Sequence, residues 1–280
     1  MIIVNDMKQE TTKAGHEVIT TGFGCLDALI GGWHNGELVL IGGRTAMGKT
    51  LFITSSLINL SIINKISVAI FSLECDLSQI IDRIRCGLCE GMGEEEYNGN
   101  YLLSQAPMIL VNCACESIER VRRQSKVLKE AYGIRLIYID YLQLLDWDER
   151  KFESREKEEA HIVNELKAIA TELDITVICC YQFDLTTAAY VPRPNMENFR
   201  ALSLVCADTV IALHRPEYYR IYKDEKGTDL RGIAELLVLK SKYGEEGCAR
   251  LKISSALFYE HVREKAKEYA VFRKIENRNL

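Results

Sequence analysis

Gly43-Arg44-Thr45-Ala46-Met47-Gly48-Lys49-Thr50 fits the pattern GxxxxGK[ST] at every constrained position. The apolar run Leu38 to Ile41 precedes it and is closed by Gly42-Gly43, while Lys49 to Asn64 carries apolar residues at helical spacing. Strand, glycine turn and helix in that order are the context in which this motif holds phosphate. The glycines let the backbone fold around an anion with successive N–H groups pointing inward. The helix adds its N-terminal dipole and free N–H groups. Lys49 is expected to reach the β- and γ-phosphates of a nucleoside triphosphate as a point charge. The Thr50 hydroxyl is expected to ligate Mg²⁺. All eight residues are therefore candidate nucleotide contacts, and the flanking elements weigh against a chance glycine-rich turn.

Downstream, the same alternation repeats. Ser67 to Ser72, Met108 to Val111, Leu136 to Asp140 and Thr176 to Cys180 read as buried strands. Ser78 to Leu88, Ser117 to Tyr132 and Glu156 to Leu173 read as helices, with Ser78 as the N-cap of the first and no capping box at Ser117. Strands alternating with helices imply βαβ units and a mostly parallel sheet flanked by helices. Thr209 to Leu213, Ala234 to Lys240 and Arg250 to Ser254 come without long helices between them, so the C-terminal edge is expected to be antiparallel. Leu136-Ile-Tyr-Ile-Asp140 ends an apolar strand in a carboxylate, as a Walker B strand does, and places a second Mg²⁺ ligand beside the phosphate loop. Ala69-Ile-Phe-Ser-Leu-Glu74 ends another strand in an acid that is placed to activate a water. A plain exposed strand-end acid is the competing reading of Glu74.

Composition sets the frame for these motifs. At 280 residues the chain has room for one large α/β domain, and 48% apolar with 27% charged residues is the balance of an ordinary globular protein. A formal net charge of −5 argues against a basic coat for nucleic acid but not against a local basic channel. No apolar stretch is long enough to span a bilayer, and no signal-peptide pattern opens the chain, so a cytoplasmic protein with reduced cysteines is expected. Cys86-Gly-Leu-Cys89 and Cys113-Ala-Cys115 together offer four thiolates, but the second pair lacks knuckle spacing. Cys86 and Cys89 are better read as small hydrophobes on a helix. The organisation expected is an arm at 1–18, an ATPase domain at 19–258 and a charged helical tail at 259–280. The tail reads either as a solvated end or as a docking helix for a neighbouring subunit.

The motifs in combination resemble a known family. Thr21-Gly-Phe, Leu26-Asp27, Gly31-Gly32 and Gly36-Glu37-Leu38 resemble the entry to RecA-like ATPase domains of the RecA/DnaB/KaiC type. The phosphate loop, Phe71-Ser-Leu-Glu74 and Ile139-Asp140-Tyr141-Leu142-Gln143-Leu144 resemble the DnaB-like replicative DNA helicases in particular, over roughly residues 20–253. That resemblance implies ATP and Mg²⁺ as cofactors, Glu74 as the catalytic glutamate, Asp140 as the Walker B acid and Gln182 as the γ-phosphate sensor. It also implies a homo-oligomeric ring, usually a hexamer, with each ATP site between subunits and completed by a lysine and an arginine of the neighbour. The corresponding segment is Lys240-Ser-Lys242-Tyr-Gly244, so Lys242 stands where the family has its arginine finger. A lysine lacks the planar fork of arginine, and the exchange is not conservative.

Single-stranded DNA is the partner that the resemblance implies, held by two loops. The first spans 148–157, where Arg150, Lys151, Arg155 and Lys157 face dilution by Glu149, Glu153 and Glu156 and by the adjoining Glu158 and Glu159, and the second contains Arg193 and Arg200. For each charged loop, a solvated surface is the competing reading. Arg215 and Tyr218-Tyr219 read either as flanking the nucleotide base or as a plain edge loop. The family's N-terminal helical collar, which meets primase, has no counterpart expected before Thr21, and a trimmed architecture of phage, plasmid or mobile-element type is expected. The function implied is an ATP-driven helicase or translocase on single-stranded DNA in replication, alongside other replication proteins and away from membranes. The alternative is a nucleotide-dependent regulatory or assembly paralogue without strand separation, suggested by Lys242, by the missing collar and by the second loop, which lacks the acid and glycine that the family has after the arginine matched by Arg200.

Overall fold

A computed structural model describes residues 2–3, 18–92, 99–112, 116–147, 152–183, 193–199 and 206–260. Its strands are β1 (Ile2–Ile3), β2 (Leu38–Gly43), β3 (Val68–Ser72), β4 (Met108–Asn112), β5 (Glu116–Ser117), β6 (Leu136–Asp140), β7 (Leu145–Asp146), β8 (Thr176–Gln182), β9 (Thr209–His214), β10 (Ile233–Lys240), β11 (Gly247–Ile253) and β12 (Phe258–Tyr259). Its helices are α1 (Gly24–Ile30), α2 (Lys49–Leu57), α3 (Leu77–Met92), α4 (Gly99–Ser104), α5 (Ile118–Tyr132) and α6 (Arg155–Leu173). Ten strands form one sheet in the order β1-β4-β3-β6-β8-β2-β9-β10-β11-β12. The run from β4 to β9 is parallel throughout. Strands β10 to β12 join antiparallel, as expected, and β1 adds antiparallel to β4 at the far edge.

The parallel strands are buried on both faces, which is why they read as continuous apolar runs. Along β2, Val39 and Ile41 enter a core with Phe52 and Leu57 of α2 and Ile80 of α3. Leu38 and Leu40 point the other way, into a core with Val121 of α5 and Leu166 of α6. The entry motif is a local lock. Asp27 accepts from the Thr21 backbone N–H at 2.7 Å, and Thr21 Oγ1 donates to the Phe23 carbonyl at 3.0 Å. Buried Glu37 accepts from the His34 N–H at 3.0 Å and from the Thr209 hydroxyl, joining the start of β2 to β9.

Several local expectations are corrected. The helix expected from Lys49 to Asn64 is α-helical only to Leu57 and continues as a π-helix over Ile58–Ile63. Helix α3 starts at Leu77, and the Asp76 carbonyl accepts its first bond, from Ile80 N at 3.2 Å, so Asp76 and not Ser78 holds the N-cap position. Cys86 and Cys89 both lie on α3 as expected, but Cys86 is exposed and only Cys89 is half-buried, so of the two only Cys89 packs as a small hydrophobe. Cys113 and Cys115 lie outside the described residues. Tyr259, assigned to the tail by sequence, ends β12, and 261–280 are outside the described residues.

Candidate nucleotide site

The phosphate loop leaves the carboxyl end of β2 at the centre of the parallel strands, the usual ligand crevice of such sheets. Its turn needs left-handed backbone at Ala46 (φ 64°) and Gly48 (φ 97°). A side chain at Gly48 would come within 3.1 Å of the Phe258 ring, so the loop rests on β12 as well as β2. Lys49 is buried, and its ammonium donates to the Gly43 carbonyl at 2.9 Å and the Arg44 carbonyl at 3.1 Å. Burial lowers its pKa, opposed by the charges of Asp140 and Glu74.

Strand β8 separates β6 from β2, yet Asp140 and Thr50 meet at the sheet's edge: Thr50 Oγ1 donates to Asp140 Oδ2 at 2.8 Å. Asp140 is only 1% exposed. Its second carboxylate oxygen, Oδ1, is buried without a hydrogen-bond partner. Burial raises its pKa, with Thr50 and Lys49 opposing. A hydroxyl and a bare buried carboxylate oxygen, side by side beneath a phosphate loop, are the hard-oxygen donors that Mg²⁺ takes. The residues present thus fit the ion that the sequence implied.

Glu74 is exposed just beyond β3, in a bend held by the Leu73 N–H donating to the Asp140 carbonyl at 3.0 Å. It lies near enough for its charge to act on both Asp140 and Lys49. Gln182 ends β8 opposite Gly43. A residue that the sequence reading left without a role fixes it there. Gln143 donates through Nε2 to the Gln182 carbonyl at 2.9 Å and accepts from the Gln182 N–H at 3.1 Å. Arg83 on α3 also went unread, and its charge reaches Asp140. No spacing rule marks either residue; only their nearness in space does.

Arg215 donates to the Ala46 carbonyl at 3.4 Å, while its Nε is buried without a partner. Arg44 donates to the Tyr219 hydroxyl at 3.2 Å and lies 5.8 Å from that ring's centre. The segment 215–219 therefore borders the phosphate loop directly. Lys240 and Lys242 do not. They lie at the opposite edge, where Lys240 donates to the Ala207 carbonyl at 2.5 Å and Lys242 pairs with Asp208 at 3.4 Å. Asp208 also accepts from the Leu38 N–H at 2.9 Å, at the start of β2. From Leu38 to Gly43 the strand rises roughly 16 Å, beyond the reach of a lysine side chain.

Of the candidate DNA contacts, Arg155 is turned inward. It donates to the Gln143 carbonyl at 2.8 Å and the Leu145 carbonyl at 3.1 Å, and pairs with Asp146, Glu158 and Glu159. Arg193 is exposed, 3.7 Å from Glu235. Arg150, Lys151 and Arg200 lie outside the described residues.

The family model for the DnaB-like helicase C terminal domain matches residues 18–259. The replicative DNA helicase DnaC of Bacillus subtilis is 30% identical over 249 residues, covering 83% of this chain and 54% of its own. The chain thus spans about half the length of that curated relative. A separately solved ATPase domain superimposes with a TM-score of 0.75 at 25% identity, over 88% of this chain and 92% of its own. A DnaB-like replicative helicase solved in a study of its interactions with primase shares the fold, with a TM-score of 0.76 at 24% identity over 89% of this chain and 63% of its own.

Proposed function

The chain belongs to the DnaB-like helicase C-terminal domain family, and on that premise we propose that it is an ATP-hydrolysing motor that moves along single-stranded DNA and separates strands in replication. The observation that carries the reading is the convergence of Lys49, Thr50 and the unpartnered Oδ1 of Asp140 at one sheet edge, with Glu74 beside them. Lys49 and the loop amides bind and orient the triphosphate. Thr50 and Asp140 hold Mg²⁺, which supplies charge neutralisation along the phosphates. Glu74 takes the proton of the attacking water. Gln182, held in register with Gly43 by Gln143, senses the γ-phosphate.

The chain acts as a ring, a hexamer as in its family, in which Lys240 and Lys242 serve the neighbour's nucleotide. Their place at the edge opposite their own phosphate loop supports action in trans. Arg193, with Arg150, Lys151 and Arg200, meets DNA phosphates. Arg155 is the weakest member of that set, since its guanidinium is already engaged within the chain. The protein works in the cytoplasm beside other replication proteins. Among the described residues no helix is long and apolar enough to cross a membrane.

Steady-state ATP hydrolysis with and without single-stranded DNA, at low and near-physiological salt, tests the proposal together with unwinding of a forked duplex. Stimulation that falls steeply with salt is expected, because phosphate contacts release counterions. Turnover indifferent to DNA, with no strand separation, would overturn it.

A further inference from the structure

Arg155 has the charge of a DNA contact, but its donors point into the chain. It opens α6, and one terminal nitrogen of its guanidinium donates to the Gln143 carbonyl at 2.8 Å and to the Leu145 carbonyl at 3.1 Å. The other donates to Glu158 at 2.7 Å and lies 3.6 Å from Asp146, while Nε lies 3.6 Å from Glu159. The two carbonyls belong to the one-turn 3-10 helix Leu142–Leu144 and its C-cap, which follow directly on Asp140 and Tyr141. From that turn the Gln143 side chain holds both the N–H and the carbonyl of Gln182. Glu159 is 1% exposed and accepts from the Tyr181 hydroxyl at 3.5 Å, so the residue before Gln182 is held from the α6 side. One guanidinium thus braces the end of β8 by two routes.

We infer that Arg155 is a positioning residue for hydrolysis and not a DNA contact: it fixes the turn after Asp140 and the buried Glu159, and through them the end of β8 where Gln182 meets the γ-phosphate. The inference rests on the sensing role proposed for Gln182. The physical case is the use of the donors. An arginine offers five N–H donors in a rigid plane. Here they face two carbonyls and three carboxylates, so a DNA phosphate would have to displace bonds already made. A side-chain amide fixes a strand end only if its own backbone is still, and the bond from Arg155 stills the backbone of Gln143. Lysine carries the same charge without the planar fork, and cannot serve carbonyls and carboxylates on both sides at once. A phosphate accepts either cation, whereas this socket needs the fork.

The test is ATP hydrolysis and salt-dependent oligo-dT binding by the full chain and by Arg155→Lys, Arg155→Gln, Gln182→Ala and the double variant Arg155→Lys with Gln182→Ala. Arg155→Lys is expected to lower kcat at saturating DNA about tenfold or more, within the hundredfold that an ångström of misplacement costs, with KM for ATP unchanged. The salt slope of oligo-dT binding is expected to match wild type even in Arg155→Gln, where the loss of a phosphate contact would reduce it by about 0.7. The double variant should be no slower than Gln182→Ala alone, because Arg155 acts through Gln182. Arg155→Lys as fast as wild type beside a slow Gln182→Ala, multiplying losses in the double variant, or a reduced salt slope in Arg155→Gln would overturn the inference and leave the motor reading intact. Gln182→Ala as fast as wild type would instead overturn the sensing role on which it rests. Should Arg155→Lys fail to fold, the pair Arg155→Met with Glu159→Gln removes both charges together while keeping an acceptor for Tyr181. That pair must show the same loss of kcat at constant KM, and wild-type turnover in it refutes the inference.

Discussion

At Asp140 the fold gives up stability for chemistry. The carboxyl is almost wholly buried, one oxygen is satisfied only by Thr50, and the other has no partner. Its folded pKa is raised by that burial, so between the unfolded value of about 3.9 and the folded one the native state binds more protons than the unfolded chain. Stability therefore falls as pH rises through that interval, and the full cost persists above it. Asp140→Asn is expected to melt above the wild type at neutral pH without metal, with the gap closing as the pH is lowered toward about 4. Mg²⁺ added to ADP should raise the melting temperature of the wild type further than ADP alone does, and should add little to the variant, which keeps Lys49 and the loop but lacks the carboxylate for the ion. A variant less stable than wild type in metal-free buffer would contradict this account of the orphan oxygen. The two neighbours differ in kind. Lys49→Ala removes the charge that meets the phosphates and should weaken nucleotide binding itself. Glu74→Gln should bind nucleotide normally yet turn over about a hundredfold or more slower, as loss of a general base implies. Binding measured by fluorescent nucleotide, set against turnover, separates them.

Strand ends place these side chains, and here sequence and structure diverge in an instructive way. The parallel strands were legible because burial on both faces writes an apolar run, and Asp140 at the end of one followed from that, whereas Gln182, two residues past the strand read as ending at Cys180, came only from the family resemblance. The phosphate loop was legible because its glycines and Lys49 are close in sequence. Gln143 was not, because its role exists only in space: it meets Gln182 with a side chain on the β6 side of β8, beyond the last β6–β8 pair at Ile139 and Cys179. The same limit hid β12, two residues whose strand identity comes from pairing with Lys252 and Ile253, and misplaced the α3 start, read at Ser78 where the Asp76 carbonyl accepts the first bonds. The π-helical stretch Ile58–Ile63 keeps Ile58, Leu60 and Ile62 in the core, so its apolar pattern read as a plain helix. Gln143→Ala should leave the Gln182 N–H and carbonyl without those partners, at a cost of roughly 1–3 kcal/mol. On the role proposed for Gln182, sensing the γ-phosphate and not holding the nucleotide, it should lower kcat more than it raises KM. A thermal melt and a KM-against-kcat comparison check both halves. Equal effects on the two constants would mean that Gln143 supports binding instead.

The molecule as a whole presents, at two opposite edges, the two halves of the site proposed above. Glu74, Lys49, Thr50 and Asp140 stand at the carboxyl edge of the parallel strands, and Lys240 and Lys242 at the other. A closed ring of identical subunits brings such unlike surfaces together at every interface, because its contacts are head-to-tail. Complementation between two defective chains reads this arrangement directly. A Lys242→Ala subunit keeps its own phosphate loop and glutamate but fails its neighbour, and a Glu74→Gln subunit fails itself but still offers Lys242. Each alone should form slow rings. Mixed in equal amounts and allowed to reassemble, one interface in four should join an intact loop to an intact lysine. DNA-stimulated turnover should then recover to about a quarter of wild type if the sites of the closed ring act independently. Turnover well below that, with mixed rings shown to form, would mean that hydrolysis passes between subunits in sequence, so that one defective interface stalls the rest. A mixture no better than the average of its parts, together with a Lys242→Ala chain as active as wild type, would remove Lys242 from the neighbour's site and leave the cation in trans to be found elsewhere on that edge.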